Sequence, residues 1–91
     1  MGARAEISWA RRDESGEKIQ VYAHHVGNRW DFFIRQRRFD MWQPHLEPPL
    51  EDWLELLDGV TRRAQRRLQR PEEVDHVKKM IRERFPEAEL D

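Results

Sequence analysis

Tyr22 and Phe33 are the residues whose type and placement come nearest to a chemistry. A two-residue turn at Gly27-Asn28 sets Tyr22 opposite Phe33, and side chains then alternate between the two sides of a sheet. One face collects Lys18, Gln20, Tyr22, His24, Asp31, Phe33, Arg35 and Arg37. Paired rings among basic groups are how a sheet takes single-stranded nucleic acid: bases stack on the rings, and phosphates meet Lys and Arg. The same rings would serve as a protein contact or a homodimer face. A second cationic feature is RRAQRRLQR, residues 62–70, with Arg62, Arg66 and Arg70 repeating at i+4, as do Arg63 and Arg67. Like charges at that spacing cost about 0.2–0.5 kcal/mol per pair in a helix. The run therefore calls for an anionic partner: a phosphate backbone, the acidic block of a second copy, or the chain's own Asp58, Glu72, Glu73 and Asp75.

Other chemistries have less to stand on. His24 and His25 are neighbours on a strand and point to opposite faces, so they do not share a metal ion. His24 and Asp31 face each other across strands, which supplies two ligands at most and reads as a polar cross-strand pair. His45 and His76 have no partner at ligand spacing. Ser8, Ser15 and Thr61 lack a presenting motif and an activating base. The four glycines are isolated and build no phosphate loop. Without cysteine there are no disulfides, zinc-thiolate sites or thiol nucleophiles. The expectation is a non-enzymatic binding module with no cofactor and no metal.

The alternative site is Phe39, Met41 and Trp42, in a proline-punctuated connection 39–49 that leads into the acidic stretch 47–58. Aromatic and Met side chains in such a connection suit a protein-interaction or homodimerisation surface.

Ninety-one residues of 11.2 kDa make one small domain. Seventeen basic and eighteen acidic residues nearly cancel, which argues against a wholesale polyanion binder. The balance hides a segregated charge. Residues 1–38 carry eight basic and five acidic groups, 39–61 none and six, 62–70 five and none, 71–91 four and seven. No apolar run approaches the roughly 20 residues a membrane span needs. Residues 1–12 have no apolar signal core, and Glu6 stands where a myristoylation signal needs Ser or Thr. A cytoplasmic protein is expected.

The elements that must position these residues follow from periodicity. Strands are predicted over about 5–12, 17–26 and 29–38, with a short fourth at 39–43 before Pro44, Pro48 and Pro49. Ile19, Val21, Ala23, Trp30, Phe32 and Ile34 share the core parity. A three- or five-residue first turn adds Ile7 and Trp9 to them; a four-residue turn does not. Helices are predicted over about 50–69, with Leu50, Trp53, Leu54, Leu57, Val60, Ala64 and Leu68 inward, and 71–85, with Val74, Val77, Ile81 and Phe85 inward. Arg70-Pro71 separates them, and the tail 86–91 frays. The predicted fold is α+β: a three- to four-stranded antiparallel meander followed by two C-terminal helices packed on one sheet face.

A strand meander followed by a helix with a Trp–Leu stripe resembles the positive-cofactor-type and Whirly-like single-strand binders, and Trp42-Gln43-Pro44 ahead of the Trp53-Leu54-Leu57 helix resembles the first of these families. The resemblance covers about half the chain, and the Lys-Gly element of the first family is missing. It implies single-strand binding through the sheet.

Overall fold

The computed structural model describes residues 6–90; Ala5 and Asp91, at the ends of the predicted first strand and tail, lie outside them. The order is β1 (Glu6–Arg12), β2 (Lys18–Val26), β3 (Arg29–Arg35), β4 (Gln43–Pro44), α1 (Leu50–Gln65) and α2 (Pro71–Arg84). The four strands make one antiparallel sheet in sequential order, and two helices follow, as the α+β reading requires. The chain forms two compact units, residues 1–48 and 49–91.

In the sheet unit both turns set the register. Gly27 has φ 59° and Asn28 does not enter the left-handed region, the pattern of a glycine-first hairpin turn. Val26 accordingly pairs with Arg29, His25 with Trp30, Tyr22 with Phe33 and Gln20 with Arg35. The first turn has five residues, 13–17, and Asp13 organises it. Its carboxylate accepts from the Ser15 amide (3.0 Å), the Ser15 hydroxyl (2.9 Å) and the Glu17 amide (2.9 Å). These bonds, the Glu17 amide foremost, hold the Asp13 pKa below its ordinary value. The odd turn length places Ile7 opposite Ala23 and Trp9 opposite Val21. Ile7, Ile19, Val21, Ala23, Trp30 and Phe32 are buried, and the Trp9 ring meets Phe32 edge-on at 6.1 Å.

The third strand is shorter than predicted. It stops at Arg35, because Arg37 and Asp40 close a turn: the Asp40 amide donates to the Arg37 carbonyl (2.9 Å) and the Arg37 amide to the Asp40 carboxylate (3.1 Å). A side chain that satisfies backbone donors locally competes with the ladder. The fourth strand falls at Gln43–Pro44 rather than 39–43, with Pro44 opposite Phe33 and Gln43 opposite Ile34. Proline is tolerated because this is an edge strand.

In the helical unit α1 packs on α2. Trp53, Leu56 and Val60 of α1 and Val77 and Ile81 of α2 are buried, and the Arg84 guanidinium lies 4.8 Å over the Trp53 ring. Helix α1 ends at Gln65, four residues early. The Leu68 amide donates to the Arg63 carbonyl (2.8 Å) and the Arg67 amide to Ala64 (3.0 Å). This is the Schellman pattern, and it sets its C′ residue, Arg67, in the left-handed region at φ 63°. The predicted inward positions Leu54 and Leu68 are exposed, and the unpredicted Leu56 is fully buried. No helix of the described residues is long and apolar enough to cross a membrane.

Candidate functional site

Alternation along β2 and β3 puts Tyr22 and Phe33 on the sheet face opposite the buried set. Their rings stack at 4.9 Å between centroids, 18° from parallel, and both are half-buried. A third ring joins them. Pro44 pairs with Phe33, so Trp42, two residues before it, falls on the same parity. Trp42 meets Tyr22 edge-on at 4.7 Å. Edge-to-face and offset-stacked contacts of this kind add about 0.5–1.5 kcal/mol beyond area burial.

Arg35 completes the cluster. Its guanidinium sits 4.3 Å over the Trp42 ring, and its Nε donates to the Gln20 side-chain oxygen at 2.6 Å. The cation is thus held flat against an aromatic surface, and the remaining donors of its fork are oriented in advance. Lys18 stands opposite Arg12 at the near end of the same face, both exposed. At the far end Asp31 is taken by Arg29 through a two-pronged contact, Nε to Oδ1 at 3.0 Å and Nη2 to Oδ2 at 3.3 Å. That carboxylate holds the Arg29 pKa above its ordinary value. His24 and Asp31 are register partners, but the acid nearest the imidazole is Glu6, with Oε2 3.8 Å from Nδ1, too long for a hydrogen bond.

The structure thus brings together Tyr22, Phe33, Arg35 and Lys18, and adds Trp42, which the sequence pattern groups instead with Phe39 and Met41. Arg37 is not part of the ladder; it sits in the turn after β3. Phe39 and Met41 remain in the connection, 92% and 81% exposed, with Leu46 at 86% beside them in sequence.

The arginine run does not form one helical stripe. Arg62 and Arg63 lie in the last turn of α1, and Arg62 pairs with Asp58 at 3.0 Å. Arg66 is the C-cap, Arg67 is left-handed, and Arg70 is the extended N-cap of α2. The i+4 spacing implied a continuing helix; the Schellman turn breaks it between the first pair and the rest.

Asp52, within the acidic stretch 47–58, is not singled out by the sequence. It is fully buried in the first turn of α1, where the helix dipole favours negative charge. Its position four residues before Leu56 and eight before Val60, both buried, is the signal that would have found it. Among the described residues, no three His, Asp or Glu side chains gather as a metal site.

The chain matches no protein-family model, no curated protein and no solved structure.

Proposed function

We propose that this protein is a non-enzymatic binding module that takes single-stranded nucleic acid on the Tyr22–Phe33–Trp42 face. The observation behind this reading is the three-ring cluster with Arg35 stacked on its margin. Half-buried rings on a sheet offer π-surface to bases of any identity, and a guanidinium held at the edge meets the phosphate beside a stacked base. Lys18 and Arg12 extend the cationic margin along the strands. Direct reading of base edges is not expected from rings alone, so the preference among sequences should be weak.

A labelled oligothymidine, titrated with protein and followed by fluorescence anisotropy, tests this. Stacking is worth about 1–3 kcal/mol per base. The double variant Tyr22→Ala/Phe33→Ala should therefore bind at least about 30-fold more weakly, while its circular dichroism stays that of the parent. Unchanged affinity in the folded double variant would remove the sheet face as the site.

A second reading has its own observation. Phe39, Met41 and Leu46 are large apolar side chains almost fully in solvent, and exposed apolar groups close in sequence suit a protein contact.

A further inference from the structure

Arg67 is the one residue other than glycine with positive φ among those described. The C′ position of a Schellman turn normally holds glycine, because a Cβ there is crowded and the left-handed conformation is strained for an L-residue. The carbonyls of this turn are met by backbone amides: Arg63 by Leu68, and Ala64 by Arg67. The arginine side chain is therefore not needed to cap the helix. A strained position occupied by a long cation that its turn does not use points to a role outside the turn.

Its neighbours share that condition. Arg66, Arg67 and Arg70 are exposed, and among the described residues their side chains have no ion pair or hydrogen bond. Arg62 is neutralised by Asp58, and the nearby Glu73 faces His76 at 3.3 Å. Three uncompensated guanidiniums thus crowd into five residues. Arg67 and Arg70 line a shallow open groove of about 500 Å³, together with Gln69 and Pro71.

We propose that this elbow between α1 and α2 is a phosphodiester-binding element, in which Arg66, Arg67 and Arg70 contact successive phosphates of a nucleic-acid backbone. Guanidinium forks fit phosphate oxygens in pairs. A protein partner would need a large apolar anchor at the centre of the contact, and among large apolar side chains the elbow exposes Leu68 alone, beside the smaller Ala64 and Pro71 of the groove. Contact by cations alone is the mark of sequence-independent backbone binding. The proposal rests on the ligand being nucleic acid, as above, but it uses different residues and a different interaction.

The test is oligothymidine anisotropy across a salt series, with thermal unfolding alongside. Each phosphate contact to a single strand contributes about 0.7 to the log–log salt slope, or about fivefold in affinity at 0.1 M salt. Arg66→Gln/Arg70→Gln should lower the slope by about 1.4 and the affinity by about 25-fold. Arg67→Gly should bind about fivefold more weakly while its Tm rises by about 4 °C, because the backbone strain is relieved. Arg67→Lys should keep most of the affinity. An Arg67→Gly variant that gains stability with unchanged affinity and slope overturns the role of Arg67. Unchanged binding in the Arg66/Arg70 variant overturns the elbow, and loss only in Tyr22→Ala/Phe33→Ala leaves the sheet face standing alone. Loss in the elbow variants, with the ring variant unaffected, keeps the elbow and removes the sheet face. Absence of wild-type binding at low salt removes both. Displacement of the oligonucleotide by polyglutamate at equal charge assigns the elbow to an acidic protein and overturns the nucleic-acid proposal.

Discussion

Asp13 shows how much one side chain in a turn can decide. Its carboxylate gathers two backbone amides and a hydroxyl within a five-residue turn, and the turn's odd length decides which face of the sheet receives Ile7 and Trp9. Hydrogen bonds to the charged form lower the carboxyl's pKa in the folded protein. The stability that Asp13 supplies is therefore complete above its unfolded value, near 3.8, and is lost as pH falls through the lower folded value. Asp13→Asn keeps an acceptor but removes the charge. Urea unfolding of the two proteins between about pH 2 and pH 7 should show the variant less stable at neutral pH and the difference shrinking in acid. A gap of constant size across that range would show that the charge at Asp13 does not matter to the turn.

Helix α1 carries the element-scale lesson. Its buried face is Asp52, Trp53, Leu56, Gly59 and Val60, a regular i, i+3, i+4, i+7 stripe. Truncating Leu56 to Ala should cost about 2–5 kcal/mol, as for other fully buried leucines, while Leu54→Ala should stay within about 1 kcal/mol of the parent. Chemical denaturation of both variants checks the face directly; equal costs would mean that α1 is rotated. The sequence did not reveal this face because leucines at 54, 56 and 57 satisfy two rival stripes, and the true one includes an aspartate and a glycine that apolar periodicity discards. The strands were legible for the opposite reason. Gly27-Asn28 has a single turn chemistry, it fixes the pairing of every residue from Val26 to Gln20, and the Tyr22–Phe33 contact follows from that register alone. The ends of elements were harder to read wherever a hydrogen bond made by a few local residues decided them. The Asp40 carboxylate stops β3, and two amide bonds at Arg67 and Leu68 stop α1. Trp42 was misassigned because its place depends on a two-residue edge strand, too short to leave a pattern.

At the scale of the whole molecule, a net charge of −1 gives no hint of anion binding, yet it does not oppose it either. Screening confines each charge to about 10 Å at 0.1 M salt, so a ligand meets local charge rather than the total. Residues 62–70 carry five arginines and no acid, and the preceding 23 residues carry six acids and no base. The two readings of function then part by their response to salt. A single strand held by about three phosphate contacts at the elbow arginines should lose about 20-fold in affinity between about 50 and 200 mM salt, because each contact releases condensed counterions. A contact made by Phe39, Met41 and Leu46 buries apolar surface and releases none, so association through it, to another protein or a second copy, should hold nearly constant over the same range. Analytical ultracentrifugation of the protein alone and anisotropy with the oligonucleotide, run at both salts, separate the cases. Steep loss of oligonucleotide binding with an unchanged sedimentation coefficient supports the cationic surfaces. Salt-indifferent self-association with no oligonucleotide binding at the lower salt transfers the function to the exposed connection between β3 and α1.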